Sequence, residues 1–158
     1  MKTLIKNGLV VDPANLVQTH LNLLLEDGKI VAVTEEEPEA DRVIDADGKV
    51  VAPGFIDIHM HEDPVKDDKI QFCIFDAMLR MGVTTAVGGN CGINVYDPVK
   101  YLDLLERDGA PVNVMMFAGH QYYREAAGAL DKYSPVTEEQ RKTMKKGLEE
   151  ALEAGCVG

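Results

Sequence analysis

Over the first fifty residues the apolar positions come in short runs cut by turn residues; from residue 53 they alternate between strand-like and helix-like stretches. In the first region, strands are predicted over 3–11, 21–25, 29–33, 42–44 and 49–52. Asp27-Gly28 leads into the β-branched run 30–33, which is a hairpin signal. Several short strands at this spacing predict a small β-sandwich over 1–52. The acidic run Glu35-Glu36-Glu37-Pro38-Glu39 reads as a solvated loop.

From Pro53 the period changes. Residues 55–58 read as a strand. Ile70, Ile74, Ala77, Met78 and Met81 recur at helical spacing, and Gly82 stands where a helix ends. A strand follows over 83–87. Asp97 then Pro98 is an N-cap with proline at the first helical position, and Val99, Leu102 and Leu105 make one face. The run 112–117, apolar apart from Asn113, predicts a parallel strand covered on both sides. Thr137 with Gln140 is a capping box, with Met144, Leu148, Ala151 and Leu152 as the buried stripe and Gly155 as the stop. The fold class is therefore α/β: about three βα units over 53–158, preceded by the sandwich segment. Cys156-Val157-Gly158 reads as the opening of a fourth strand. Three parallel strands with both faces to cover and an open edge make a poor solitary fold. Association with itself or with a remainder of the barrel is expected.

Charge narrows the partners. The net charge of −11 and pI near 4.7 argue against nucleic acid and anionic membranes. No apolar run approaches the roughly 20 residues a membrane helix needs, and the start MKTLIKNGLVVDP has no signal-peptide pattern. Three cysteines without a CxxC pair are read as reduced thiols, which points to the cytoplasm.

The chemistry gathers at strand ends. His59 and His61 lie two apart after a Pro-Gly turn; on a strand, positions i and i+2 share a face, so both can reach one metal ion. Cys91, in Asn90-Cys91-Gly92, follows the next strand at the same end. Two imidazoles and a thiolate favour zinc, and an open fourth position suits hydrolysis of an amide or ester. Glu62 and Asp63 are read as loop residues beside the metal. His120, ending the third strand, has four readings: substrate contact, metal ligand, partner to a ligand, or a structural hydrogen-bonded histidine. Tyr122, Tyr123 and Arg124 follow it, placed to meet a carboxylate or other polar substrate group. His20, Cys73 and Cys156 receive no functional role.

Together these segments are familiar. Pro53-Gly54-Phe55-Ile56-Asp57-Ile58-His59-Met60-His61 resembles the opening barrel strand of the amidohydrolase superfamily. Gly82-Val83-Thr84-Thr85, Gly89-Asn90-Cys91-Gly92-Ile93, Pro111-Val112-Asn113-Val114 with Gly119-His120, and Ala151-Leu152-Glu153-Ala154-Gly155 resemble its N-acyl-D-amino-acid deacylase (D-aminoacylase) branch. The resemblance implies the N-terminal part of a TIM (β/α)8 barrel and a composite β-sandwich. It implies one or two zinc ions held by His59, His61 and Cys91, the cysteine standing where dihydroorotases and hydantoinases commonly use a carboxylated lysine. It implies hydrolysis of the N-acyl group of a D-amino acid by a zinc-activated water, with His120 near the active-site mouth; from their positions, His120 and Arg124 are the expected substrate contacts. The family's later histidines and its proton-handling aspartate have no counterpart here, so the general base is expected outside this chain and the chain alone is expected to be inactive. Gly119-His120-Gln121-Tyr122-Tyr123-Arg124 also departs from the glycine-rich form usual in the branch. A cyclic-amide hydrolase of the dihydroorotase or hydantoinase kind, and a non-catalytic oligomerising or metal-binding module, are the alternatives.

Overall fold

The computed structural model describes all 158 residues, which cluster into two compact units, Met1–Pro53 and Gly54–Gly158. In the first unit, strands β1 (Lys2–Lys6), β4 (Asn22–Glu26), β5 (Lys29–Thr34) and β6 (Arg42–Asp45) form a sheet in the order β5-β4-β1-β6. Strands β2 (Leu9–Asp12), β3 (Val17–His20) and β7 (Val50–Val51) form a second, in the order β3-β2-β7. The single strand expected over 3–11 is two strands. Asn7 takes a left-handed φ of 66° and its amide nitrogen donates to the Asn22 side chain, so the chain leaves one sheet there and enters the other. The expected Asp27-Gly28 turn links β4 to β5, both residues at positive φ. Strand β3, with its polar sequence Val-Gln-Thr-His, is held by antiparallel pairing to β2 and has no apolar pattern to announce it.

The second unit contains a parallel sheet of β8 (Phe55–Asp57), β11 (Val83–Gly88) and β12 (Asn113–Met116), with β11 in the middle. Helix α1 (Ile74–Arg80) joins β8 to β11, and α2 (Pro98–Asp108) joins β11 to β12; α3 (His120–Ala126) and α4 (Glu138–Glu153) follow. A two-residue-per-strand hairpin, β9 (Val65–Lys66) and β10 (Lys69–Ile70), precedes α1. All three strands run the same way, so their carboxyl ends open on one side. Beyond β12, the Val157 amide donates to the Met116 carbonyl (2.8 Å) and the Ala118 amide to the Gly158 carbonyl (2.7 Å), placing the last residues along the free edge of β12.

The core of this unit is built from Phe75, Met78, Val83, Ala86, Tyr101, Leu104, Val112, Met116 and Ala151 among others. Several predicted faces differ. Helix α1 buries Phe75 and Met78 while Ile74, Ala77 and Met81 stay exposed, and Ile70 belongs to β10. On α4 only Ala151 is buried; Leu148 and Leu152 are exposed because no element of this chain packs over them. Strand β12 is covered on one face only, with Met116 buried and Met115 exposed. The two cap predictions match the geometry: the Asp97 side chain accepts from the Lys100 amide, and Thr137 and Gln140 cap each other reciprocally.

Asp63 fixes the start of α1. It is fully buried, and its carboxylate accepts from the amides of Cys73, Ile74 and Phe75 and from the Cys73 thiol (2.7–3.1 Å). Its own carbonyl accepts the hydroxyl of buried Tyr101 at 3.0 Å, tying α2 to the same loop. Burial alone would raise the Asp63 carboxyl, but the hydrogen bonds from Cys73, Phe75 and Ile74 outweigh it and hold the group below its ordinary 3.8. The same contact pushes the Cys73 thiol up, so it stays protonated and donates. A group with a depressed folded pKa stabilises fully above its unfolded value and loses that contribution as pH falls through the folded one. Asp63→Asn should therefore cost about 2 kcal/mol at neutral pH, the order expected for charge-assisted hydrogen bonds. Urea titrations across pH check this: the gap between wild type and variant should be constant above about 3.8 and close below it.

Candidate metal centre

The three strand ends build the site. β8 ends at Asp57, so His59 and His61 lie just beyond the strand, not on it. The alternation survives: both imidazoles are exposed and Met60 between them is buried. Two contacts with β11 hold it. The Met60 amide donates to the Val87 carbonyl at 3.3 Å, and the Asn90 side chain donates to Val87 O at 2.7 Å and, at a long 3.5 Å, to Met60 O. The Asp57 carboxylate accepts the His59 amide at 3.0 Å.

After β11 the chain makes a 3-10 turn over Asn90–Gly92. Gly89 (φ 77°), Cys91 (φ 60°) and Gly92 (φ 75°) are all left-handed. That conformation costs a residue with a side chain roughly 1–2 kcal/mol, and it turns the thiol toward the histidines. His59 Nε2 lies 3.4 Å from Cys91 Sγ, and the donor atoms of His59, His61 and Cys91 are all within 4.8 Å of one another. Tetrahedral zinc places nitrogen and sulfur ligands about 3.3–3.6 Å apart. The donor set fits that ion in chemistry, and in spacing after a small closure.

The other predicted residues lie as follows. His120 is the exposed first residue of α3 and lies outside the three-donor group. With Cys91, Gly92, Arg124 and Lys132 it lines a cavity of about 310 Å³. Arg124 Nη2 donates to the carbonyls of Asp131 and Ser134, holding the loop after α3, while its buried Nε has no partner. The Tyr122 hydroxyl donates to Asp97 at 3.1 Å, and burial together with that carboxylate pushes its pKa up to about 12. Tyr123 packs on Gly147 of α4. Both tyrosines thus support helices. Glu62 and Asp63 lie, as expected, in the loop beside the candidate ligands and outside the donor group; both are also buried, at 3% and 0% exposure. Two functional candidates went unseen in the sequence, Asn90 and Asn94. Asn90 bonds to Val87, only three residues upstream, whereas Asn94 bonds to Glu62, Phe117 and Gly119, 23 to 32 positions away, which no spacing rule encodes.

A soft three-donor cluster at the carboxyl ends of parallel strands is the arrangement expected of metal-dependent hydrolases. The chain belongs to the amidohydrolase family, which matches residues 42–157. Along 98% of its length it is 31% identical to an N-acyl-D-glutamate deacylase and 30% identical to a D-aminoacylase, both of Alcaligenes xylosoxydans xylosoxydans. It spans 36% of each of those proteins. The crystal structure of N-acyl-D-glutamate deacylase from Bordetella bronchiseptica, complexed with zinc and a phosphonate inhibitor, superposes with a TM-score of 0.83 at 29% identity, covering 99% of this chain and 37% of that one. A dihydroorotase of Elusimicrobium minutum is 43% identical over 54% of this chain and 20% of its own length. Matches that run nearly the length of the chain include the deacylase and the D-aminoacylase, and also, in fold, a D-hydantoinase at 24% identity and a TM-score of 0.55.

The turn's geometry makes a prediction. A Cβ on Gly89 would sit 2.2 Å from the Phe117 carbonyl, whereas one on Gly28 of the β4–β5 turn, at the same φ (77°), meets nothing within 4 Å. Gly28→Ala should cost about 1 kcal/mol from backbone conformation alone. Gly89→Ala should cost several times as much, because the β12 loop must shift. Chemical denaturation of the two variants gives the comparison.

Proposed function

We propose that this chain carries the first part of the active site of a zinc-dependent amide hydrolase, with His59, His61 and Cys91 as metal ligands. The observation that carries the reading is the meeting of their donor atoms within 4.8 Å. When bound, zinc supplies Lewis-acid activation of a water and of an amide carbonyl. The chain's own residues hold and orient. Met60 keeps the two imidazoles on one side, Asp57 fixes the His59 backbone, and the left-handed turn presents the thiol. His120 and Arg124 border the cavity beside Cys91 and would meet the polar end of the substrate there. Proton transfer falls to a general base outside the 158 residues.

The substrate class is a linear amide, the N-acyl group of a D-amino acid. The support is similarity along 98% of the chain to a deacylase and a D-aminoacylase. In architecture, residues 1–52 would be part of a composite β-sandwich and 53–158 the first three βα units of a TIM barrel, the chain by itself being inactive. The exposed apolar edge at Phe55, Ile56 and Ile58 fits a surface that further βα units or a second copy would cover. Free thiols suit a cytoplasmic setting; no helix is long and apolar enough to cross a membrane. Cyclic-amide hydrolysis is the second reading, favoured by the 43% identity of one segment to a dihydroorotase.

Zinc titration followed by metal analysis tests the centre. His59→Ala, His61→Ala or Cys91→Ser should each lower zinc content sharply. Melting should change little for the histidines, whose side chains are exposed, since surface substitutions cost within about 0.5 kcal/mol. Equal zinc in wild type and a His59→Ala/His61→Ala double variant overturns the assignment. In a protein extended by the missing barrel units, hydrolysis of N-acetyl-D-amino acids supports the linear amide; hydrolysis of dihydroorotate instead supports the cyclic one.

A further inference from the structure

We propose that Asn94 is a positioning residue that sets the spacing between the histidine pair and Cys91. The inference rests on the reading of those three side chains as metal ligands. Asn94 Nδ2 donates to Glu62 Oε1 (2.9 Å) and to the Phe117 carbonyl (3.0 Å), and its Oδ1 accepts the Gly119 amide (2.7 Å). One side chain thus joins the segments after all three strands. Glu62 adjoins His61, Asn94 itself lies three residues beyond Cys91, and Gly119 adjoins His120.

Glu62 makes the link directional. It is 3% exposed, its Oε2 is buried with no partner, and Asn94 is the donor to its Oε1. A buried carboxylate is costly unless hydrogen-bonded, so the single donor decides where this side chain stays. Gly88 closes the other side: a Cβ there would lie 2.9 Å from Glu62 Cγ. The carboxylate is therefore wedged between the end of β11 and the Asn94 amide, and the backbone of His61 is carried with it. Partners that orient the segments bearing metal ligands change metal affinity by about 10–100-fold when removed. A residue serving stability alone changes melting without that effect.

The test is cobalt(II) binding to the 158-residue protein, read as affinity and as the near-ultraviolet charge-transfer band of the cobalt–thiolate bond, alongside melting. Asn94→Asp keeps an acceptor for Gly119 but sets a second carboxylate against Glu62. It should weaken cobalt binding by about 10–100-fold and alter the thiolate band. In the Asn94→Asp/Glu62→Gln double variant the new amide faces the new carboxylate, so the link to the β8 loop returns with its polarity reversed and part of the affinity returns with it. Val83→Ala, a core truncation at the far end of β11, provides a stability control and should lower melting with affinity and band unchanged. If Asn94→Asp fails to fold, Asn94→Ser takes its place. Wild-type affinity and spectrum in the Asn94 variant overturn the proposal while leaving the ligand assignment intact. So does an equal affinity loss in Val83→Ala at equal loss of melting temperature. A wild-type protein that takes up no cobalt and no zinc overturns the ligand assignment and this proposal together.

Discussion

The site depends on one lateral tie between strand ends. The Val87 carbonyl, near the end of β11, accepts both the Met60 amide and the Asn90 side chain. The first bond fixes the residue between the two histidines and the second fixes the residue before the cysteine. One carbonyl oxygen has two lone pairs, and here each is spent on one arm of the same cluster. Because β8 has already ended at Asp57, no ladder of strand hydrogen bonds would otherwise hold the histidine pair in alternation. Parallel pairing of β8, β11 and β12 brings the three loops to one side; the Val87 tie turns that closeness into a defined separation.

The same region shows how the acidic residues beside the histidines are used. Asp63 accepts four hydrogen bonds at the start of α1, and Glu62 is held by Asn94. Both carboxylates are therefore committed to holding loops in place. This division separates two demands that conflict in one side chain. A group that fastens a loop is buried and hydrogen-bonded, whereas a metal donor must stay accessible with a free lone pair. Exposed His59, His61 and Cys91 meet the second demand; buried Glu62 and Asp63 meet the first. The apolar layers beneath, from Phe75, Tyr101 and Met116, keep the loops' anchors dry.

What could be read from the sequence was local. Asp97-Pro98, the Thr137–Gln140 pair and Asp27-Gly28 each contain their own hydrogen-bond logic within four residues, and each forms as expected. The grouping of His59, His61 and Cys91 was legible because strand-end placement carries ligands from separate segments to one side of a parallel sheet. The failures were nonlocal. β3 exists through its pairing with β2, and the β9–β10 hairpin closes within six residues too polar to signal a strand. Helix α1 faces inward through Phe75, not Ile74, because Asp63, eleven or twelve residues upstream, fixes where it starts. Helix α3 has no capping side chain and no apolar stripe to mark it. Glu62, Asp63 and Asn94 look like ordinary loop polar residues until partners ten to thirty-two positions away are known.

Cys91 sits in a backbone conformation that disfavours it. A cysteine in a left-handed turn between two glycines is an unfavourable choice for mere packing: the conformation is strained, the side chain is exposed, and no hydrophobic burial repays it. Leu16, also at positive φ and 93% exposed, tolerates the same conformation, so strain alone assigns no role; what sets Cys91 apart is its company. Within this chain the contact on offer is His59 Nε2 at 3.4 Å, with His61 close by. A neutral thiol–imidazole contact is weak, since sulfur is a poor hydrogen-bond partner. Coordination of a thiolate and two imidazoles by one cation is strong enough to offset the turn's strain many times over. The conformation of the Asn90–Gly92 turn is therefore compatible with the metal centre proposed for His59, His61 and Cys91.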